Sequence, residues 1–397
     1  MTGGPLDGVR VIDMTSVVVG PICGRALADQ GADVIKVEAP GGDLLRTMAQ
    51  GCRTPGMSGK FTNFNRNKRS ICLNLKEPDG LAAMKRLIQD ADVFVSNVRP
   101  EALTRAGLDA ESLLALNPNL IHCGILAFGR GGRYFNQPAY DPIIQSLSGV
   151  AATFERAIGE PRFVPMVMTV HVTGLIAAQC IGFALYRRER TGKGESIEVP
   201  MLENMASFVA SEHLGAATFD PPVGPAGDGR LLSPDYRPLP TLDGYITVGP
   251  NTNPQAFAFF DAIGRPELKS DSRFDSAASR TENADAFFEV RVEGLLKKTT
   301  ADWLDIFSAA DVPAARYNTI EDLLEDPHLA DVGFFESEEH PSEGKIRRTK
   351  TPNEFSGGMR TDTLPAPNLG ENTDDILRDA GYAEDEILAM RESGAVA

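Results

Sequence analysis

The stretch LDGVRVIDMTSVVVGPICGRALADQGADVIKVEAPGGD at residues 6–43 decides the fold. Val9 to Met14 is a short β-rich run, and Asp33 to Glu38 (DVIKVE) is a second. Between them GPICGRALADQGA reads as a helix of small residues with glycine at both ends. Strand, helix and strand within about thirty residues make a βαβ unit, and such units build a parallel sheet covered by helices. The pattern continues outward. RSICLNL reads as a strand, EPDGLAAMKRLIQDA as a helix, and DVFVSNV and LIHCGILAF as further strands. The predicted class is α/β, with a Rossmann-like large domain. Its first turn carries GPICG rather than GxGxxG, and GRGGRY at 129–134 also misses that pattern, so neither a nicotinamide nor a flavin is expected. No GxxxxGK[ST] phosphate loop occurs.

Further along, LIAAQCIGFALYRRER after Gly174 reads as a long apolar helix with basic residues in its last turn and Gly192 as its stop. ESIEVP follows as an alternating strand. Around residues 215–235 the texture changes to DPPVGPAGDGRLLSPD, the composition of a crossing between domains. DGYITVG, NPQAFAFFDAIG and TTADWLDIFSAADVPAARY then alternate strand and helix, with Trp303 as a core anchor. The expected layout is a large domain over 1–215, a small α+β domain over 225–330, and a segment 331–397 that returns to the large domain.

With 397 residues, two compact units are the natural expectation. The net charge of −16 disfavours a nucleic-acid or anionic-membrane surface, which needs a basic face. No charge-free apolar run reaches the length of a membrane span and no signal-like segment opens the chain, so a cytoplasmic protein without a membrane partner is expected. The five cysteines are scattered without a CxxC pair and read as buried thiols, with no metal site.

Beyond these patterns, seven ordered blocks carry a resemblance along the whole chain. They are the opening stretch, NRNKRSICLNLK, SNVRPEALTRAGLD, NPNLIHCGILAFG, AYDPIIQSLSG, ALYRRERTGKGESIEVPMLENM and PAPNLGENTDDILRDAGY. Together they resemble the family III CoA-transferases, a group that includes formyl-CoA and carnitine-related CoA-transferases and α-methylacyl-CoA racemases. The resemblance implies an acyl-CoA as substrate, a small carboxylic acid as its partner, and two chains interlocked as a homodimer. By the same resemblance, Leu73, Asn74, Leu75 and Lys76, then Asn97, Val98, Arg99 and Arg105, fall in the nucleotide-contacting segments. Val18, Val19, Ala139 and Tyr140 fall where the thioester end passes. Coenzyme A carries several phosphates, so its site needs cations, and Lys68, Arg69, Lys76, Arg99 and Arg105 are the candidates.

The reaction of that family works through an aspartate that attacks the thioester and forms a mixed anhydride. The resemblance places it in a D-x-x-T-G pattern, which here reads V-H-V-T-G, with Val170 in the aspartate's place. Valine forms no anhydride. Three readings follow: acyl-CoA chemistry by substitute groups, with His171 and Asp141 as candidates; binding of an acyl-CoA without turnover, or turnover only beside an active partner; and a specialised site with narrowed chemistry. Racemisation at the acyl α-carbon ranks below CoA transfer, because Tyr140 stands where the resemblance places the racemases' histidine. His122, on a predicted buried strand, reads as a core histidine. Glu203, near a helix start, reads as a solvated or capping acid.

Overall fold

Strand β1 (Arg10–Met14) runs through the middle of a six-stranded sheet, with Val11, Ile12 and Asp13 wholly buried on its two faces. The computed structural model describes residues 3–48 and 51–397. β2 (Asp33–Glu38) and β3 (Lys68–Cys72) lie on one side of β1. β4 (Val93–Ser96), β5 (Ile121–Leu126) and β6 (Glu195–Pro200) lie on the other, giving the order β3-β2-β1-β4-β5-β6. All neighbours pair in parallel, with Val11 opposite both Val34 and Val93. That is the order of a doubly wound sheet. The chain winds outward from β1 to β3 on one side and from β4 to β6 on the other, and the crevice at the carboxyl ends of β1 and β4, where the order switches, is where such sheets bind ligands.

Three helices position the site: α1 (Val19–Asp29), α2 (Asp141–Leu147) and α3 (Met168–Thr191). The sequence pattern predicts α3 from Gly174, but the helix opens six residues earlier, at Met168. Val170 and His171 therefore belong to its first turn and not to a preceding loop. The reason is a cap from outside the helix: Asp141 accepts the Thr169 N–H at 2.7 Å. By length and composition α3 could cross a membrane, which the sequence reading did not expect. One face of it, through Thr173, Gly174, Ala177, Ile181, Ala184 and Leu185, is buried, while Leu175, Phe183 and Tyr186 are exposed.

One layer of the core joins Ile12, Ile35, Ile71 and Phe94 of the sheet to Met84, Leu87 and Ile88 of the helix Pro78–Gln89. The carboxyl-terminal segment closes this layer with Ile376, Leu377, Ile387 and Met390. Its last stretch forms two helices (Thr373–Asp379 and Glu384–Glu392), and Gly381 between them takes a φ of 92°. A bridge between Leu73 and Val396 fastens the tail to the end of β3.

The chain divides into two compact units. The first comprises residues 3–48, 51–148, 165–207 and 330–397 of the described chain, and the second 149–164 and 208–329. The second thus begins earlier than the expected 225 and takes in a helix, Val150–Ile158, from within the expected large domain. It holds a three-stranded antiparallel sheet of β7 (Leu239–Pro240), β8 (Tyr245–Val248) and β9 (Ala314–Arg316). Its core centres on Trp303, which stacks on Phe307 at 5.2 Å and donates Nε1–H to Leu295 O at 2.7 Å.

Candidate active site

The turn that leaves β1 is held from three sides. Asn97, just past β4, accepts the Ser16 N–H at 3.1 Å and donates its amide to Ser16 O at 3.0 Å, so one side chain ties the two turns that flank the crevice. Lys36 donates to Thr15 O at 3.0 Å and to Asp43 Oδ2 at 2.9 Å, and Asp43 Oδ1 accepts the Val17 N–H at 2.9 Å. Val17 sits at a φ of 67°, a conformation that strongly disfavours a β-branched residue. Such strain persists only where surrounding contacts over-determine it, and it clusters at ligand sites. Gly24 completes the approach, since a Cβ there would lie 2.5 Å from Asp13 Oδ2.

Beneath the turn lies a set of buried charges. Lys68 is fully enclosed and donates to Asp13 Oδ2, Asn65 Oδ1 and Pro21 O at 2.9, 2.9 and 3.0 Å. Burial pulls its ammonium below the ordinary lysine value despite the attraction of Asp13. Burial acts on Lys36 in the same sense, but Asp13, Asp43 and Glu38 more than offset it and hold that ammonium above the ordinary value. Glu38 takes a two-pronged contact from Arg46 at 2.8 and 2.7 Å, and Arg46 with Lys36 overcomes burial to hold its carboxyl below the usual range. These pairs correct one expectation. Lys68 and Arg69 do not offer free cations to a ligand, because Arg69 is bound to Asp33 at 2.7 Å and to Asp379 at 3.0 Å. Lys76, Arg99 and Arg105 are exposed and form no ion pair among the described residues.

The other nucleotide-segment candidates divide by what they expose. Leu73 is buried in the core and its N–H is spent on Glu38 O at 2.8 Å, while Leu75 and Val98 pack half-buried against the same core. Asn74 shapes its own turn by accepting the Lys76 N–H at 3.2 Å. Val18 and Val19 are buried at the start of α1, so any contact they make with a ligand is through backbone. Arg99 stands immediately before the helix Pro100–Ala106, which carries Arg105.

A second group converges through α3. Asp141 opens α2, and its Oδ1 accepts from Thr169 N, Thr169 Oγ1 and Val170 N at 2.7, 2.6 and 3.3 Å. Its Oδ2 accepts from Gln145 Nε2 at 2.6 Å. The carboxylate therefore caps α3, where the helix dipole favours an anion. Ala139 and Tyr140 lead into it, Tyr140 with two-thirds of its surface open (66%). One turn further along α3, a Cβ on Gly174 would stand 2.5 Å from Val19 O, so only glycine lets α3 sit on the start of α1. Residues four apart share a helix face, which turns Val170 toward that junction; it is 8% exposed.

His171 is half-buried with its ring edge-on to Phe64 at 5.5 Å. Burial and the charge of Arg25 hold its imidazole below the ordinary histidine value, with Asp141 opposing them. This favours the neutral imidazole, the form that acts as base or nucleophile. His122 packs on Phe94 at 5.4 Å and is held low by burial, as a core histidine should be. Glu203 accepts the Gly129 N–H at 2.8 Å and so anchors the glycine-rich turn after β5. Burial pushes the Cys123 thiol up to about 12 and Cys23 well above the ordinary value, so neither is a thiolate; Cys52, in contrast to the expectation, is exposed. Among the described residues no group of three or more His, Cys, Asp or Glu could hold a metal ion.

A family model described as CoA-transferase family III matches residues 6–373. The chain belongs to that family. It is similar to human succinyl-CoA:glutarate CoA-transferase, 31% identical over 400 residues that cover 99% of this chain and 90% of that protein. It is also 31% identical to the formyl-CoA:oxalate CoA-transferase of Rhodopseudomonas palustris (strain BisA53), over 98% of this chain and 97% of that one. Among solved structures, a CAIB/BAIF family protein from Brucella suis superposes with a TM-score of 0.80 at 30% identity, covering 95% of this chain and 99% of the other. In this member of CoA-transferase family III, the sequence reading passed over Val17, Lys36 and Asp43. The signal was present in Lys36, a lone cation inside the otherwise apolar strand DVIKVE.

Proposed function

We propose that this chain transfers coenzyme A between an acyl-CoA and a carboxylic acid, with His171 in place of the aspartate that Val170 supplants. In this reading an imidazole nitrogen of His171 attacks the thioester carbonyl. The C–S bond breaks, and coenzyme A leaves as the thiol with the imidazole's proton. The acceptor carboxylate attacks the acyl-imidazole, forming a mixed anhydride and freeing the imidazole as base. That base takes the proton back from the thiol, and the thiolate attacks the acceptor's carbonyl to give the new thioester and the donor acid. Asp141 acts as a positioning residue that fixes the first turn of α3.

The observation that carries this reading is a half-buried imidazole, held toward its neutral form, in the first turn of α3, one turn before Gly174 meets the start of α1. The exposed cations Lys76, Arg99 and Arg105, without an ion pair among the described residues, suit the phosphates of coenzyme A. The relatives' names pair succinyl-CoA with glutarate and formyl-CoA with oxalate, so a dicarboxylic acceptor is proposed. A second copy of the chain would cover Leu175, Phe183 and Tyr186 of α3, which supports a homodimer.

The test is CoA exchange from succinyl-CoA or formyl-CoA to glutarate and oxalate, with rapid quenching and peptide mass analysis for an acyl group on His171. Exchange that is lost in His171→Gln supports the proposal. Exchange that survives unchanged in that variant overturns the role of His171. The apolar, almost closed position of Val170 favours one second reading, a CoA-binding homologue without turnover. It predicts no exchange in the natural protein and exchange in Val170→Asp.

A further inference from the structure

We propose that the second unit holds a binding site for a small organic anion, bearing a carboxylate or phosphate group, on the guanidinium groups of Arg230, Arg280 and Arg291. The site is a cavity of about 530 Å³ lined only by residues of that unit, and it rests on no assumption about CoA transfer. In a chain of net charge −16, it gathers four arginines. Among the described residues, Arg237 alone of the four is in an ion pair, with Asp235 at 3.1 Å.

The other three are held by neutral groups. Arg280 is 4% exposed, and its Nη atoms donate to Phe274 O at 2.9 Å, Asn251 O at 3.2 Å and Asn253 Oδ1 at 2.9 Å. These acceptors fix its orientation without cancelling its charge. Arg291 donates to Val248 O, and its Nε is buried without an acceptor. Both guanidiniums lie near the ring of Phe287, at 5.9 and 5.6 Å from its centroid. Arg230 stands by the exposed Tyr236 at 6.0 Å, with no side-chain hydrogen bond among the described residues.

Buried cations without counter-ions are unfavourable, and buried N–H groups without acceptors add to the deficit. The consequence is visible at Arg291, which burial and the charge of Arg230 hold down to about 10. An anion across these groups relieves both defects, since planar guanidinium forks match carboxylate and phosphate oxygens. The cavity volume lies in the range of metabolite sites and exceeds a bare ion. The rings of Tyr236 and Phe288 supply walls for a carbon body, which makes the ligand organic.

Isothermal titration of the whole protein with glutarate, adenosine monophosphate and inorganic phosphate tests this. The expected result is binding of glutarate or adenosine monophosphate that is tighter than inorganic phosphate. Arg230→Gln and Arg291→Gln should each weaken it at least about tenfold, the effect of losing one charge-assisted hydrogen bond. Tighter glutarate assigns a carboxylate ligand, and tighter nucleotide assigns a phosphate ester. No heat from any probe at millimolar concentration overturns the proposal, as does affinity unchanged in both variants, which would place the binding elsewhere. Should Arg291→Gln fail to fold, Arg230→Gln decides, because its side chain holds nothing in place.

Discussion

Replacing Asp141 by asparagine separates a capping carboxylate from a catalytic one. The natural side chain takes three hydrogen bonds on Oδ1, from Thr169 N, Thr169 Oγ1 and Val170 N, and one on Oδ2, from Gln145 Nε2. Asparagine keeps the shape and one acceptor oxygen but loses the charge. A partly buried anion at a helix N-terminus contributes up to about 2 kcal/mol, and hydrogen bonds to it weaken from about 1.5–3 to about 0.5–1.5 kcal/mol when it is neutralised. The new amide also faces the Gln145 amide, donor against donor. Gln145 must turn over, giving up its 3.3 Å bond to Met166 O, or lose its partner. These effects overlap, and the expected loss is about 3 kcal/mol in urea unfolding followed by circular dichroism. The same substitution removes the charge that raises the imidazole of His171. The acid limb of kcat/KM for CoA exchange should therefore move to lower pH, with residual activity retained. A variant of unchanged stability that has lost exchange entirely would refute the capping argument and make Asp141 a group acting on substrate.

Other outcomes follow from the same geometry. Gly174→Ala places a Cβ 2.5 Å from Val19 O, where neither backbone yields easily; it should cost about 1–3 kcal/mol and weaken CoA binding by shifting α3 from the start of α1, checked by thermal unfolding and CoA titration. Lys68→Met leaves Asp13 buried without its ammonium and should destabilise by about 3–5 kcal/mol, while Lys68→Met with Asp13→Leu should recover most of that in the same unfolding assay. For His171 the folded value lies below the ordinary 6.5, so the unfolded chain binds the proton more readily. Stability from this group is full above that ordinary value and declines as pH falls through the lower, folded one. His171→Gln should therefore lose less stability than the natural protein over that acidic interval, read as the difference in denaturation midpoints.

The sequence by itself determined the layers. Alternation of short β-branched runs with amphipathic helices is local, and residues 6–43 alone contain a complete βαβ unit, so the parallel sheet was legible without any contact map. The membership of residues 6–373 in CoA-transferase family III was legible from ordered motifs for the same reason. The pairing of charges was not. Lys68 looked like a phosphate ligand in NRNKRSICLNLK, yet its partner Asp13 lies 55 residues earlier, and only adjacency in the sheet's interior joins them. Arg69 is likewise consumed by Asp33 and Asp379. Nor did the pattern after Gly174 show that α3 begins at Met168, because the cap that starts it is a carboxylate 28 residues away. Hydrophobic periodicity is written in neighbouring residues and survives in one dimension. Which charges remain free for a ligand, and which turn a distant carboxylate holds, are decided only when the chain brings those groups within hydrogen-bond reach.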